Sequence, residues 1–457
     1  MAENMKYQKI IKYLATMVCT QPLHIGSASG DKEEVLVHPA DGIPFLQASS
    51  LAGALRQYYA MQYGEKQAEQ LFGIRRFEAN QNSMEGSSKV RFSDGVFHRE
   101  SLVLELRPRV KINPETGTCD AGSIKGTNRR AGHKFNMEYI GAGAVFDFSV
   151  YLYDEHYQKD FEEILSAVCQ ENLQFGGQKS NGCGFMKLQG LKRKIFDMTN
   201  AKDRRQWAEE ESLADSQYET ISSEIKSAPK TTAAYEVTVS GSTEGELLVK
   251  SIAVSEYGKG APDSMNIQNA AKEYIVPGSS LKGAVRSQME KIAGYIGKKY
   301  VIEETFGKPG NAAEEGKIGN IVFYDTVVGN REDNDRAQIK NRIHIDKFTG
   351  GVMHGGLFNE KNVSGDMQLR IMIQDRNNPD ETCGLLLMAL RDMAVGVMSV
   401  GGGYNVGKGI IHVDQITICD RIHQNKAVIY FESGSVADES GIIARCMSAV
   451  RSKEEAV

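Results

Sequence analysis

The sequence predicts an α+β fold written twice, as two tandem domains of β-α-β-β-α-β order, and three observations carry that expectation. The first is repetition: five landmarks recur in the same order at nearly constant spacing. Ser49-Ser50-Leu51-Ala52-Gly53-Ala54-Leu55-Arg56 returns as Ser279-Ser280-Leu281-Lys282-Gly283-Ala284-Val285-Arg286, Phe72-Gly73 as Phe306-Gly307, and Val90-Arg91-Phe92-Ser93-Asp94 as Ile321-Val322-Phe323-Tyr324-Asp325. The run from Arg109 to Gly117 returns from Arg342 to Gly350, and Gly176-Gly177-Gln178-Lys179-Ser180-Asn181-Gly182-Cys183-Gly184 returns as Gly401-Gly402-Gly403-Tyr404-Asn405-Val406-Gly407-Lys408-Gly409. The second observation is strand alternation, at Phe146, Phe148, Val150 and Leu152, and again at Met367, Leu369, Ile371 and Ile373. The third is helical spacing after each strand: Phe161, Ile164, Leu165 and Val168 in one half, and Leu386, Leu387, Leu390, Ala394 and Val397 in the other. Together these give each half the order of a ferredoxin-like fold, whose sheet also serves RNA recognition modules.

The other elements follow from local chemistry. A helix is expected after each S-S-L motif, because Ser is a favoured N-cap and good helix formers follow it. Final strands are expected over 185–188 and 410–413, directly after the glycine motifs. A charged, Ser-rich stretch near 196–232 balances its charges and reads as a solvated connector. The domains are therefore placed at 1–195 and 233–432, with a linker at 196–232 and a C-terminal tail at 433–457.

Composition narrows the class. With 41% hydrophobic and 25% charged residues the chain is globular, and its 457 residues exceed what one core organises. No apolar run approaches membrane-spanning length. The start, with Lys6, Lys9 and Lys12 and no small-residue cleavage site, does not read as a secretory signal. Seven scattered cysteines without a C-x-x-C pair fit reduced thiols in the cytoplasm, with no disulfide framework and no zinc site. A net charge of −5 argues against nucleic-acid binding, but charge is unevenly placed: from Glu105 to Glu138 seven basic residues face four acidic ones.

Three features carry binding chemistry. The S-S-L-x-G-A-x-R helix start gathers backbone N–H groups, Ser49, Ser50 and Arg56, or Ser279, Ser280, Lys282 and Arg286, into a seat for phosphate. The bland alternative is an ordinary helix cap. The glycine motif sits before a final strand, not between a first strand and its helix, which argues against a dinucleotide site. Gly176, Gly177, Gly401 and Gly402, with Lys179, would let a nucleic-acid backbone approach closely, unless the motif is merely a tight crossover. Long loops follow Gly117 and Gly350. The first holds Lys125, Arg129, Arg130, His133 and Lys134, and the second Met353, His354, Leu357, Phe358 and Lys361, so basic groups can take phosphates while apolar tips wedge between bases.

Candidates for catalysis are few, since the chain has no paired-His metal motif, nucleophile elbow or P-loop. Asp31 and Asp263 stand 18 and 16 residues before their S-S-L motifs. Either carboxylate could hold a divalent ion or orient a ribose 2′-hydroxyl toward its phosphate, although a loop Asp is most often a turn former. Asp41 competes with Asp31, but Asp41-Gly42 looks like a turn into the next strand.

These motifs resemble the RAMP superfamily of CRISPR systems, and within it the backbone subunits of type III effector complexes. Pro22-Leu23-His24-Ile25-Gly26-Ser27 is similar to the family's opening strand and loop, the run from Ile275 to Gly283 to its most recognisable motif, and both glycine motifs to its G-rich loop. The resemblance implies two fused modules, as in type III-D-like complexes, with β-hairpin thumbs at about 118–141 and 351–364. It implies crRNA and target RNA as partners, alongside further backbone, capping and large subunits. It also implies RNA contacts at His24 and Ser27, and cleavage of target RNA at Asp31 and Asp263 with a divalent metal, Mg or Mn, and no organic cofactor. Gln47-Ala48 departs from the family's Pro-Gly, and Ser240-Gly241-Ser242 stands where the first half has its His-Ile-Gly loop. Three functions stay open: a cutting backbone subunit, a purely structural crRNA-binding subunit, and a guide-processing endoribonuclease using His24.

Overall fold

The computed structural model describes residues 7–26, 34–74, 87–110, 112–113, 121–123, 130–132, 134–169, 171–209, 214–222, 231–251, 262–308, 310 and 316–451. Two compact units divide the chain. One comprises 1–104, 139–179 and 183–231, and the other 105–138, 180–182 and 232–457.

In the first unit Lys9–Cys19 is the central strand, with alternate side chains buried as a sheet covered on one face requires. It pairs antiparallel with Met186–Asp197 on one side and Val145–Leu152 on the other, and Val90–Phe92 pairs beyond the latter. Helices Ala48–Tyr63 and Gln158–Cys169 bury Leu51, Leu55, Tyr58, Phe161, Ile164 and Leu165 in one core with Ile11, Tyr13, Phe148 and Val150. The second unit repeats the plan. Its strand order is Ile410–Asp420, Ala233–Glu244, Asp366–Gln374, Ile321–Phe323, and helices Gly278–Ile296 and Pro379–Ala394 supply the core. Both units therefore have the antiparallel ferredoxin-like order, with the first strand between the third and fourth.

Several boundaries differ from the sequence reading. The final strands run to Asp197 and Asp420, far past the residues expected. The stretch read as a solvated connector carries helix Ala201–Ala208 and strand Glu219–Thr220, which extends the first sheet and buries Ile221 beside it. The stretch read as a tail is structured too. Strand Val436–Ala437 continues the second sheet, and helix Ile442–Arg451 buries Ile442, Cys446 and Val450 in the second core. A Cβ at Gly384 would stand 2.3 Å from the Cys446 carbonyl oxygen, so the two helices meet backbone to backbone. Val397, expected on the helix, lies beyond its end and is exposed. Among the described residues no helix is long and apolar enough to cross a membrane.

Candidate nucleic-acid interface

The two S-S-L helices begin one step earlier than the serines suggest. Gln47 and Pro277 occupy the N-cap positions, neither with a side-chain cap, and Ser49 and Ser279 stand second in their helices. The cap comes from the strand that follows each helix. Asp94 Oδ1 accepts from the Ala48 N–H at 2.7 Å, and Asp325 Oδ1 from the Gly278 N–H at 2.8 Å. Each carboxylate satisfies an orphan donor and the positive helix end. The first N–H of each helix is thus engaged within the chain, which corrects the expected phosphate seat at that point. Gly278 also explains the Pro-Gly of the second copy: a Cβ there would meet the Phe323 carbonyl oxygen at 2.2 Å and the Asn181 carbonyl oxygen at 2.8 Å.

One turn into the second helix lies a concentration of positive charge. Lys282 Nζ donates to Ser180 Oγ at 2.7 Å. Burial, then Arg286 and Arg109, pull the Lys282 ammonium down to about 8, and these two charged neighbours, the ones acting on it among the described residues, are both cationic. Arg286 also pairs with Glu290 at 2.7 Å and lies over the Phe306 ring. Arg109 and Ser180, from segments of the first repeat, belong to the second compact unit. Nearby, Asp325 Oδ2 holds Arg107 at 2.7 Å, Arg107 holds Glu105, and Glu105 accepts from the Ala270 N–H at 2.7 Å. In the first unit, Arg56 spends one Nη on Glu65 at 2.6 Å, while its Nε and other Nη are buried without a hydrogen bond.

The glycine loops dock identically. Gly177 N–H donates to the His24 carbonyl, and Gly402 N–H to the Leu248 carbonyl, each at 2.8 Å. A Cβ on Gly176 would fall 2.4 Å from the His24 oxygen, and one on Gly401 2.6 Å from the Leu248 oxygen, with φ of +69° and +86°. The close approach that needs glycine is therefore to the chain's own backbone, not to a nucleic acid as expected. The outer faces stay open, since Gly177, Lys179, Gly401, Gly402 and Tyr404 are exposed. These bonds also correct the alignment of repeats: His24 corresponds to Leu248, while Ser240, Gly241 and Ser242 lie within the first strand. His24 is buried, its ring 5.5 Å from that of Tyr139.

The second hairpin comprises Lys340–Ile345 and Val352–Lys361, so it starts before the 351–364 expected. At its tip Asp346 Oδ1 accepts from the Phe348 and Thr349 N–H groups at 2.9 and 2.8 Å, and these bonds hold its carboxyl below the usual range. Phe348 projects from that turn 98% exposed, and Ile345, Val352, Met353 and Leu357 are also exposed. His354 is exposed on the same hairpin, whereas Lys361 turns back to the Asp335 carbonyl and the Tyr274 ring. An ionic cluster around one buried pair, Lys408–Glu360, fastens the hairpin's foot. Lys408 of the glycine loop pairs with Glu360, Arg342 reaches Glu360 at 2.8 Å, and Lys340 pairs with Glu246. Asp263 lies exposed at this foot: its Oδ2 accepts from the Asn359 N–H at 2.8 Å, and its own N–H donates to Asn359 Oδ1 at 2.5 Å.

In the first repeat, Leu104–Val110 pairs with Lys134–Ile140, and Ala121–Ser123 with Arg130–Gly132, where a hairpin was expected over 118–141. Arg130 and Lys134 lie on these strands. Ser27, Asp31, Lys125 and Arg129 lie outside the described residues. Asp41 serves a turn, its Oδ1 accepting from the Ile43 N–H at 3.1 Å. Sequence reasoning missed Glu360 and Asn359, whose partners Lys408 and Asp263 are distant in sequence, and it quoted Asp94 and Asp325 within a repeated landmark without seeing the helix starts they cap. Lys408 and Arg109 stood inside recognised motifs without a role.

The sequence profile of the RAMP superfamily matches residues 16–187 and 257–412, one region in each repeat. The chain belongs to the RAMP superfamily. A comparison with curated proteins finds no match. Among solved structures the chain is similar to one described as the cryo-EM structure of the type III-B Cmr-beta bound to cognate target RNA. The two are 17% identical with a TM-score of 0.30, over 41% of this chain and 61% of the other.

Within the RAMP modules the described residues contain no group of three or more His, Cys, Asp or Glu side chains able to cage a metal. Asp263 offers a single carboxylate. A single exposed carboxylate would suit a divalent ion that draws its other ligands from a substrate, as Mg²⁺ commonly does through one or two carboxylates plus phosphates. The glycine geometry makes a direct prediction. Gly176→Ala and Gly401→Ala should each lower stability by about 1–3 kcal/mol in thermal denaturation. Gly283→Ala, in a helix with nothing within 4 Å of its Cβ, should be neutral or stabilising by about 0.5–1 kcal/mol.

Proposed function

We propose that this RAMP chain is a crRNA-binding backbone subunit of a type III CRISPR effector complex, and that it cuts complementary target RNA at one or both modules. The observation that carries the reading is Lys282 on the first turns of the second S-S-L helix, bonded to Ser180 and pressed by burial, Arg286 and Arg109, a strain on its charged form that a bound phosphate would relieve. Ser279, Ser280 and Ser180 would supply neutral donors to the same strand of RNA. Within each module the open face of its glycine loop would meet the RNA backbone, with Lys179 beside it in the first. Phe348 at the hairpin tip suits insertion between bases, an apolar wedge that unstacks them. Such contacts grip phosphate, sugar and stacked bases and leave sequence to pairing by the guide.

In this reading Asp263 faces the target phosphate beside the displaced base, orienting the attacking 2′-hydroxyl, and Asp31 does the same in the first module. A bound divalent metal, Mg or Mn, would supply charge relief at that phosphate. A second reading, a subunit that grips guide RNA and leaves cutting to its neighbours, gives the Asp263–Asn359 bonds no role beyond fastening the loop to the hairpin. Guide processing through His24 loses support, since that imidazole is buried and its counterpart is Leu248.

Two outcomes test the proposal. In the assembled complex, Asp263→Ala should abolish one set of cuts in complementary RNA and Asp31→Ala the other, with guide binding retained. Intact cutting in the double variant would remove the catalytic assignment and leave the structural reading. The second outcome concerns pH. Free Lys282 loses its proton near pH 8, whereas a bound phosphate favours the charged form, so RNA affinity should fall as pH rises from 7.5 to 9.5, by up to about tenfold per unit. Over the same window Lys282 opposes folding less and less, because its folded value lies below the unfolded one. Stability and affinity should therefore move in opposite directions, and Lys282→Arg should flatten the affinity profile.

A further inference from the structure

We propose that Asn359 is the positioning residue that aims the Asp263 carboxylate at RNA from the foot of the second hairpin. The inference rests on the reading of Asp263 as a cutting carboxylate and adds the group that orients it. The two residues hold each other reciprocally. Asn359 N–H donates to Asp263 Oδ2 at 2.8 Å, and Asn359 Oδ1 accepts from the Asp263 N–H at 2.5 Å. The first bond fixes one carboxylate oxygen and the second fixes the backbone that carries it, so the direction of Oδ1 is set. A fastening of loop to hairpin does not require this ring. Ser264 and Met265 already pair in parallel with Glu360 and Lys361, and Asn266 N–H donates to the Lys361 carbonyl. What the ring adds is the orientation of one exposed acidic side chain: the Asn359 backbone N–H meets the carboxylate itself, and the side-chain amide oxygen holds the backbone that carries it. A reacting group must be held within a fraction of an ångström, and side-chain partners on a rigid strand supply that restraint.

Asn359→Ala keeps the backbone N–H that holds Oδ2 but removes the acceptor for the Asp263 N–H. In the full chain assembled with guide and complementary target RNA, single-turnover cutting at saturating RNA should slow by about tenfold, the worth of one hydrogen bond. The RNA dissociation constant should not change, and hydrogen exchange at the Asp263 amide should accelerate. Asn359→Asp, which retains an acceptor in the same place, should recover most of the rate. If Asn359→Ala cuts at the wild-type rate while Asp263→Ala does not cut, the positioning role is wrong and the catalytic reading stands. If Asp263→Ala also cuts normally, the underlying reading fails first. Should the alanine variant not fold, Asn359→Leu, of similar size but without the acceptor, decides: cutting slowed about tenfold at unchanged RNA affinity supports the role, and a wild-type rate overturns it.

Discussion

Each module is closed by the same pair of backbone hydrogen bonds between its terminal glycine loop and the chain leaving its first strand. Gly177 and Gly184 N–H groups bind the carbonyls of His24 and Pro22, and Gly402 and Gly409 bind those of Leu248 and Glu246, all at 2.8 Å. This closure fixes which face of the loop meets the protein and which stays open. It also explains why the glycines are needed: a side chain at Gly176 or Gly401 would occupy the space of the accepting oxygen. The open face is thus a product of the fold's own packing. In the second module the closure reaches further, because Lys408 leaves the loop to meet Glu360 at the foot of the hairpin. Loop and hairpin there share one buried ion pair, whose loss would leave an uncompensated charge.

Against this frame the charges are placed at a cost. The chain is acidic overall, yet Lys282 sits half-buried beside Arg286 and Arg109, and its ammonium is pulled down to about 8 by burial and those neighbours. A fold optimised for stability alone would place a carboxylate there. Instead Asp325, the acidic residue of a repeated landmark, is spent on the helix start and on Arg107. Local disagreement of this kind is what functional or strained positions carry. The hairpin tip breaks rules in the same way, since Phe348 is almost wholly exposed on a turn held by Asp346.

Much of the fold was legible because repetition is a covariance a single chain carries within itself. Alternation at Phe146 to Leu152 and at Met367 to Ile373 placed the third strands, and the glycine motifs placed the ends of the modules. What stayed hidden depends on partners far apart in sequence. The serines of S-S-L looked like caps because the real caps, Asp94 and Asp325, lie 46 and 47 residues beyond the amides they satisfy. The helix Ile442–Arg451 looked like a tail because its burial is decided by the helix that carries Gly384. His24 was matched to the wrong segment because the first strand of the second module runs on to Glu244, which composition does not reveal. Arg109 and Ser180 gained meaning only when contacts assigned them to the second unit.

The claim on which the functional account rests is that Lys282 and its cationic neighbours grip an RNA phosphate. Guide-RNA affinity measured against salt concentration, for the wild-type chain and for Lys282→Ala at pH 7, tests it most directly. The account predicts weaker binding by the variant and a salt slope reduced by about 0.7–1, one phosphate contact fewer. An unchanged affinity and an unchanged slope would contradict it.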